Sequence, residues 1–377
     1  MLKKRLLTPG PTDVAPEVLI EMAKPIFHHR TPQFREMFGR VQEGLKAVYR
    51  TKDPVVVMSG SGTAGMEAAI VCACPRDKKV LVANSGKFGE RWAKVARAYG
   101  LDVDEVITEW GTPITPEVVA EKVATGEYGA VIVVYSETST ATACDVKAIA
   151  EIIKPTDTLL LCDAITACGT LPLETDAWGV DVVASGSQKA FMLPPGLAML
   201  SVSEKAWAVI DTIDAPAFYL NLKAYRKSLA GNDTPYTSAV SLIRGLEIAL
   251  DMLNEVGIEK TWTRTALLAK ALREAAKVMG MTVASQSPSD SVTALFLPEG
   301  IDDTIRKVLK NSYGVSVAGG QDGWKNRVIR ISHMGYVDPF DTLTVVAALE
   351  YALRDLGQDI EIGAAVAVAA KVLADWK

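Results

Sequence analysis

The sequence predicts an α/β protein in which a large domain, built on a mostly parallel β-sheet with helices on both faces, precedes a smaller α+β domain. Between residues 54 and 187, short apolar runs alternate with segments of helical periodicity, which is typical of βα units. These runs are apolar throughout rather than alternating, as expected for strands that are covered on both faces. From about residue 238 two long helical segments and then shorter strand patterns follow.

Five apolar runs predict the strands of the large domain. They are residues 54–59, 78–84, 129–136, 157–164 and 180–187. The first three lead into the helical segments "GMEAAIVCA", "FGERWAKVARAYG" and "DVKAIAEII", and the fourth leads into a loop. This order predicts a sheet that is assembled from consecutive βα units.

The long helical segments "SAVSLIRGLEIALDMLNEVG" and "EKTWTRTALLAKALREAAKVMG" are separated by a break near Gly257. We therefore predict an N-terminal arm (1–20), a large domain (21–256) and a small C-terminal domain (257–377). In the small domain "SVTALFLP", "GVSVAGG" and "RVIRIS" predict strands. The last apolar stretch, "IGAAVAVAAKVLADWK", predicts a packed terminal helix rather than a membrane span, because it is short and contains Lys371.

Composition favours a soluble globular protein. The 377 residues are 49% hydrophobic and 23% charged, which is enough for a substantial core. The net charge is −5 and neither sign forms a long block, so a nucleic-acid partner is not expected. The N-terminal "MLKKRLLTPGPTD" is broken by Pro9, Gly10 and Pro11 before a signal peptide could form, so we expect a cytoplasmic protein with no membrane partner.

The five cysteines predict free thiols. Their number is odd and no secretion signal is present, which argues against a disulfide framework. Cys72 and Cys74 form a Cys-x-Cys pair, but no second pair or nearby histidine completes a metal site. We expect buried or half-buried structural thiols and no metal.

The glycine-rich segment "SGSGTAG" (59–65) lies between an apolar strand and a helix. Backbone N–H groups and the positive end of a helix suit a phosphate there. Gly60, Gly62 and Gly65 also match the G-x-G-x-x-G fingerprint, so a nicotinamide-dependent dehydrogenase is one alternative. That fingerprint expects an acidic residue at the end of the following strand, where this chain has Asn84, and the hydroxyl groups favour a terminal monophosphate. A loop without a ligand is the plainer alternative.

Asp163 and Lys189 follow other predicted strands, at the edge of the sheet where ligands of open α/β proteins bind. Asp163 closes the run "LLLCD", where a half-buried ionised carboxylate needs a cationic partner unless it caps the next segment. Lys189 in "SGSQKAFMLPPG" is followed by stiff apolar residues. Taken alone it would be an ordinary surface lysine, whereas burial would lower the pKa of its amine and make it a nucleophile near neutral pH.

These three elements together are the protein groups that pyridoxal 5'-phosphate needs. Its phosphate would bind at the helix end, its protonated ring nitrogen would pair with Asp163, and its aldehyde would form a Schiff base with Lys189. The residues themselves therefore predict a pyridoxal-phosphate enzyme.

The order of motifs is similar to that of the class V aminotransferases, specifically their alanine–glyoxylate and serine–pyruvate branch. The motifs are "TPGPT", "HHRTPQF", "SGSGTAGMEAA", "SETST", "CDAITACG", "SGSQKAFMLPPG", "TPYTSAVSL" and "RISHMGYV", which span nearly the whole chain. The resemblance implies a fold-type I pyridoxal-phosphate-dependent transferase and a homodimer with active sites at the subunit interface. It also implies ping-pong transfer of an amino group from a small L-amino acid, such as alanine or serine, to glyoxylate or pyruvate.

The resemblance further implies a role for individual residues. Lys189 would carry the cofactor and Asp163 would hold its ring nitrogen. Phe88 stands at the position of an aromatic residue that stacks on the ring, where tryptophan is common in the family, and Thr138 would contact the ring hydroxyl. The implied phosphate ligands are Ser61, Gly62, Thr63 and Gln188, with Thr237 reaching the phosphate of the other subunit.

Arg330 in "RVIRISHMG" matches the arginine that binds the substrate carboxylate in the family. A planar guanidinium can bind a carboxylate through two parallel hydrogen bonds, although a salt bridge at a strand end is the commoner role of an arginine. The sequence departs from the family pattern at three positions. Ala141 and Ser332 stand where glycine is usual, and Thr63 stands where some members have histidine.

Other enzymes of this fold are alternatives. Cysteine desulfurases need a mobile cysteine near the substrate loop and tend to have histidine before the lysine, whereas this chain has no cysteine after Cys168 and has Gln188. Phosphoserine and phosphonate transaminases need further cationic groups, for which His28, His29 and Arg30 are candidates unless they pack at the entrance or dimer interface. A non-catalytic cofactor-binding subunit is a third alternative, since members of this branch have carried hydrogenase-subunit names.

Overall fold

The computed structural model describes residues 2–376. The strands are β1 (Arg5–Leu6), β2 (Val56–Ser59), β3 (Lys79–Asn84), β4 (Val103–Ile107), β5 (Tyr128–Val134), β6 (Ser136–Glu137), β7 (Thr142–Ala143), β8 (Leu159–Asp163), β9 (Val182–Gly186), β10 (Leu197–Val202), β11 (Thr282–Val283), β12 (Val292–Phe296), β13 (Val315–Ser316), β14 (Ala318–Gly319) and β15 (Val328–Ser332). The helices are α1 (Pro16–Met22), α2 (Pro32–Tyr49), α3 (Gly62–Ala73), α4 (Lys87–Ala98), α5 (Pro116–Val123), α6 (Val146–Ile153), α7 (Thr175–Trp178), α8 (Glu204–Thr212), α9 (Leu222–Leu229), α10 (Val240–Val256), α11 (Ile258–Val278), α12 (Thr304–Ser312), α13 (Pro339–Asp355) and α14 (Ala364–Leu373).

The central sheet has the strand order β2-β10-β9-β8-β5-β3-β4. All neighbouring pairs are parallel except those of β10, which runs antiparallel to β2 and β9. Every residue of β5, β8, β9 and β10 is buried. Since successive side chains of a strand point to opposite faces, helices must cover both faces of this sheet. The predicted α/β class with a mostly parallel sheet is confirmed.

The five predicted strands correspond to β2, β3, β5, β8 and β9, whereas the sequence analysis missed β4 and β10. Strand β4 lies at the edge of the sheet and none of its residues is fully buried, so its sequence "VDEVI" is not an apolar run. Strand β10 follows the Lys189 loop without an intervening helix, so it falls outside the βα alternation on which the prediction depended.

The small domain is built on the antiparallel sheet β11-β12-β15-β14. Its apolar core is separate from that of the large domain and is formed by β15 together with α11, α12, α13 and α14. Helix α11 begins against the large core at Ile258 and Trp262 and continues into the small one at Leu268. The predicted division at residues 256 and 257 falls at the break between α10 and α11. Helix α14 packs against α11 and α13, as predicted for the terminal helix.

The N-terminal segment joins the small domain. Strand β1 pairs in parallel with β13, and Leu7 belongs to the small apolar core. Helix α1 crosses the predicted end of the arm at residue 20 and packs against α10. The first residues therefore start on the small domain and then cross to the large one.

All five cysteines are buried free thiols, as predicted. Burial raises the pKa of each thiol above its ordinary value. In the part of the chain that the structure describes, no group of three or more His, Cys, Asp or Glu side chains could hold a metal ion. Among residues 2–376, no helix has both the length and the apolar character needed to cross a membrane.

Candidate active site

The predicted site residues of the large domain meet at the carboxyl edge of the central sheet. Strand β8 ends at Asp163, which is in register with Ala184 of β9, and the chain reaches Lys189 shortly after β9 ends. Helix α3 follows β2 at this edge, and α4 follows β3. Parallel strands thus bring together residues that are far apart in the sequence.

Asp163 is buried, with 4% of its surface exposed. Its Oδ2 accepts a hydrogen bond from Trp92 Nε1 at 2.8 Å, and its Oδ1 accepts one from the Ile165 N–H at 3.0 Å. Burial raises the pKa of Asp163, while these two bonds and the charges of Lys189 and Arg91 oppose the rise. The prediction that this carboxylate is half-buried needs correction, because Asp163 is buried. It forms no salt bridge within the described residues, so its predicted need for a cationic partner is not met by the protein itself. A cationic ring nitrogen would supply the missing charge.

Lys189 lies in a closed loop beyond β9. The Met192 N–H donates to the Lys189 carbonyl at 3.1 Å, and Ser187 Oγ donates to the Pro194 carbonyl at 2.8 Å. The side chain is buried, and Nζ donates a hydrogen bond to the Pro9 carbonyl. Burial lowers the pKa of Lys189 to about 8, with Asp163 opposing the shift and Arg330 and Arg91 adding to it. The apolar confinement predicted from the sequence is therefore present.

This pKa leads to a test on the cofactor-free protein. The folded-state pKa lies below the ordinary value of 10.5, so folding shifts the protonation equilibrium of Lys189 toward the neutral amine. We expect trace acetylation of Lys189 by acetic anhydride, measured by mass spectrometry, to rise with pH around a midpoint near 8. Exposed lysines of the same sample serve as internal controls with ordinary midpoints, and a Lys189 midpoint equal to theirs would contradict this assignment.

The N-terminus of α3 has the features of an anion-binding helix end. Its first turn contains no acidic residue, and the Ser61 side chain makes no capping hydrogen bond within the described residues. Gly62 is buried so closely against Ile165 that a Cβ atom at position 62 would lie 2.6 Å from Ile165 Cδ1. A helix N-terminus with uncapped donors stabilises a phosphate. Ser61 is exposed and Thr63 is half-buried in the same turn.

Gln188 places a further polar group at this turn. Its Oε1 is buried and has no hydrogen-bond partner among residues 2–376. A Cβ atom at Gly186 would lie 3.0 Å from this Oε1 and 3.5 Å from the Gly62 nitrogen, so the glutamine amide and the start of α3 lie close together. A buried amide without a partner costs free energy, which a ligand at this position would recover.

Phe88 and Thr138 lie on neighbouring segments of the same edge. Phe88, in the first turn of α4, is half-buried, and the guanidinium carbon of Arg91 lies 4.7 Å from its ring centroid. Thr138 is buried, and its Oγ1 is hydrogen-bonded to Thr166 Oγ1 at 2.6 Å.

Two buried residues of the site were missed from the sequence. Trp92 donates to Asp163, and Glu137 accepts from the N–H groups of Phe88 at 3.0 Å and Gly89 at 3.1 Å, which fixes the start of α4. Two signals could have identified them. Trp92 follows Phe88 by four residues and so shares its helix face, and Glu137 is an isolated carboxylate at a strand end, the same signal that identified Asp163.

The Trp92 contact can be tested by its effect on stability. We expect Trp92→Phe to lower the free energy of unfolding by about 1–3 kcal/mol through loss of a buried hydrogen bond to a charged acceptor. Burial places the folded-state pKa of Asp163 above 3.8, so this deficit should grow as pH rises through that pKa and the carboxylate ionises. Trp262→Phe is the matched control, because Trp262 Nε1 is buried without a hydrogen-bond partner in the described residues. Equal and pH-independent losses in urea titrations of both variants would contradict the assignment.

Arg330 is carried by β15 of the small domain and is buried. Its Nε donates to the Gly319 carbonyl at 2.9 Å and its Nη1 to the Thr138 carbonyl at 2.8 Å. Burial lowers the pKa of Arg330 to about 10, opposed by the charge of Glu137. The alternative role as a salt bridge at a strand end is wrong for the described residues, since this guanidinium donates to two neutral carbonyls and forms no salt bridge among residues 2–376. A buried cation held in this way can pair with a carboxylate.

A comparison of the sequence with protein-family profiles shows which family has this arrangement. The family described as "Aminotransferase class-V" matches residues 19–339.

The chain belongs to the class V aminotransferases.

Relatives of this class V aminotransferase match along its length. The "soluble hydrogenase 42 kDa subunit" of Anabaena cylindrica is 39% identical and is aligned over 99% of both chains. The serine–glyoxylate aminotransferase of Hyphomicrobium methylovorum is 32% identical over 97% of this chain and 93% of its own. The crystal structure of ureidoglycine–glyoxylate aminotransferase from Bacillus subtilis superposes with a TM-score of 0.94 at 28% identity, covering 100% and 99% of the two chains. The fold is thus that of the fold-type I transferases, and the hydrogenase-subunit name expected among relatives is found.

The residues of this aminotransferase fit the cofactor that its family implies. Three features match the three ends of pyridoxal 5'-phosphate. Within residues 2–376, the buried carboxylate of Asp163 has no salt-bridge partner and Gln188 Oε1, beside the start of α3, has no hydrogen-bond partner, and the amine of Lys189 is buried. Asp163 would hold the ring nitrogen, and Lys189 would hold the aldehyde carbon. The phosphate would lie among Ser61, Gly62, Thr63 and Gln188.

Three positions that the family resemblance singled out have distinct surroundings in this aminotransferase. Thr237 is exposed and lines a small cavity with Ser59 and Tyr219 of its own chain, so its contact with a second subunit stays a prediction. Ala141 has φ of 56°, in the left-handed region that favours glycine, which accounts for the glycine usual in the family. Ser332 is buried, and its N–H donates to the Leu7 carbonyl at 2.9 Å.

Proposed function

We propose that this aminotransferase transfers the amino group of a small L-amino acid, such as alanine or serine, to glyoxylate or pyruvate by ping-pong kinetics with pyridoxal phosphate. One observation carries the proposal. The buried amine of Lys189 and the buried carboxylate of Asp163 lie at one edge of the central sheet, and the buried guanidinium of Arg330 donates to the Thr138 carbonyl at the same edge. Asp163 and Arg330 carry the two charges that a cofactor ring nitrogen and a substrate carboxylate require. The family supplies the reaction type, and the donor and acceptor are our inference.

The residues then divide the chemistry between them. Bound pyridoxal phosphate supplies an electron sink for the negative charge that develops at the substrate α-carbon. Arg330 binds the substrate carboxylate and orients the α-carbon. Lys189 Nζ would take the α-proton as general base and then, as general acid, release it toward the cofactor rather than back to the α-carbon. Asp163 would hold the ring nitrogen of the cofactor by its negative charge, and Trp92 holds that carboxylate in place.

The names of the relatives support glyoxylate as the amino-group acceptor more than they support any one donor. The names of both aminotransferases above include glyoxylate, one together with serine and the other together with ureidoglycine. Arg330 would bind the carboxylate common to all amino acids, so the donor is selected by the rest of the pocket. Alanine and serine are therefore the first donors to compare.

We also propose a homodimer with shared active sites. Ile20, Ile26 and Phe218 are large apolar side chains with exposed fractions of 65%, 69% and 82%. Exposed apolar side chains of this size are typical of surfaces that a partner covers. Sedimentation velocity would measure the oligomeric state. The cytoplasmic location stays a prediction.

Absorbance spectroscopy tests the proposed reaction. The purified protein should be yellow, should lose its visible band on addition of L-alanine or L-serine, and should recover it with glyoxylate. A panel of donors against glyoxylate, pyruvate and 2-oxoglutarate then ranks the substrates. A coloured protein that responds to no amino acid would favour the non-catalytic subunit, and activity confined to phosphoserine or aminoethylphosphonate would favour the phosphonate or phosphoserine enzymes. Tight nicotinamide binding without any chromophore would favour the dehydrogenase.

A further inference from the structure

Residues 5–12, which we call the strap, belong to the N-terminal segment and pass over Lys189. The Pro9 carbonyl accepts the hydrogen bond of Lys189 Nζ. Thr12 Oγ1 donates to the Lys189 carbonyl at 2.8 Å, and the Thr12 N–H donates to the Gln188 carbonyl at 3.1 Å. Within the strap, Thr8 Oγ1 donates to the Pro11 carbonyl at 2.7 Å. The strap therefore contacts both the reactive end and the backbone of Lys189.

The strap is also held by the small domain. The Arg5 N–H donates to the Gly314 carbonyl at 2.8 Å, and the Leu7 N–H donates to the Ser316 carbonyl at 2.9 Å. The Leu7 carbonyl accepts from the N–H of Ser332, two residues after Arg330 on β15. A continuous path of backbone and hydrogen bonds thus runs from the strand of Arg330 through the strap to Lys189.

We propose that the strap is a positioning element for Lys189, in which the Pro9 carbonyl holds the amine whenever it is not bonded to the cofactor and Thr12 fixes the lysine backbone. This inference deepens the proposed function, since the amine must return to one place between its two proton transfers. The strap also keeps the amine away from water, so the environment that makes it a base depends on residues outside the large domain.

Gly10 is the residue that permits this approach. A Cβ atom at position 10 would lie 2.2 Å from Lys189 Nζ and 2.7 Å from Cε, and the φ of Gly10 is 149°. A side chain and the lysine amine cannot both occupy this space. We therefore expect Gly10→Ala to separate the strap from the amine.

The test is the pH dependence of Lys189 acetylation in the cofactor-free full-length protein. The charged groups that act on this amine are Asp163, Arg330 and Arg91, and all three are retained in the variants. In Gly10→Ala the midpoint should rise from near 8 toward 10.5, by about one pH unit or more, because the amine loses its buried position. Gly100→Ala is the matched control, since Gly100 also has a positive φ of 76° but no atom of residues 2–376 beyond its chain neighbours lies within 4 Å of its added Cβ. Its midpoint should equal that of the unaltered protein.

Thr12 provides a second test that avoids strain at glycine. Thr12→Val removes the hydroxyl donor with little change in volume, while the Lys189 carbonyl keeps its bond from the Met192 N–H. We expect the acetylation midpoint to rise in Thr12→Val and to return in Thr12→Ser, which restores the hydroxyl. Recovery of the midpoint in Thr12→Ser would show that the hydroxyl positions Lys189, as distinct from a general loss of packing.

The outcomes are separable from those of the proposed function. Acetylation needs neither cofactor nor substrate. If its midpoint depends on the strap but the protein catalyses no transamination, the proposed function is refuted and the proposed role of the strap is retained. An unchanged midpoint in folded Gly10→Ala would overturn the proposal. If Gly10→Ala does not fold, an unchanged midpoint in Thr12→Val would overturn it instead.

Discussion

Replacing Lys189 with alanine is expected to lower kcat for transamination by at least about 10⁴-fold, because the variant lacks the amine that moves the α-proton. The cofactor should still bind, since Asp163 and the start of α3 are unchanged. Single-turnover absorbance with L-alanine measures the loss directly. A small external amine such as methylamine should restore part of the rate, because it can take the proton in the space that the side chain leaves.

The matched control for this substitution is Lys205→Ala. Lys205 is half-buried and donates to the Thr158 carbonyl at 2.6 Å, so its removal also deletes a packed lysine, on α8 rather than at the site. Its kcat should equal that of the unaltered enzyme. Full activity in Lys189→Ala, or an equal loss in both variants, would contradict the role of Lys189 as the base.

Local sequence patterns were sufficient to predict five of the seven strands of the central sheet. Uniformly apolar runs marked β5, β8 and β9, and a polar residue directly after such a run marked Asp163 at the carboxyl edge. These features depend on neighbouring residues alone, because a strand that is buried on both faces has apolar residues at consecutive positions. The same reasoning placed the glycine-rich segment at the start of α3 and Lys189 after β9.

The contacts that complete the site could not be predicted in this way. Trp92 and Asp163 are 71 positions apart in the chain, and Pro9 and Lys189 are 180 apart. Such pairs are set by how helices and strands pack, and nothing in the local run around Pro9 indicates a lysine partner. Arg330 was identified by family resemblance, whereas elementary reasoning favoured a salt bridge that the described residues do not form.

Replacing Arg330 with lysine is expected to lower kcat/KM for amino acids by about 10²–10³-fold, mainly through KM, because an ammonium cannot form the paired hydrogen bonds of a guanidinium. Arg330 also donates to the carbonyls of Thr138 and Gly319, so lysine leaves these contacts incomplete as well. Steady-state kinetics with L-alanine and glyoxylate measure both parameters. Arg330→Ala should raise KM further, since it removes the charge altogether.

A donor without a carboxylate separates carboxylate binding from damage to the site. Half-reaction rates with isopropylamine, followed by loss of the visible band, should differ little between Arg330→Lys and the unaltered enzyme, because this amine has nothing for the guanidinium to bind. Arg327→Lys is the matched control on the same segment, since Arg327 is exposed and contacts the ring of Phe296 instead of the site. If Arg330→Lys lowers the half-reaction rate with isopropylamine as much as the rate with alanine, Arg330 positions the Thr138 segment rather than the substrate. An unchanged KM for alanine would place the carboxylate elsewhere.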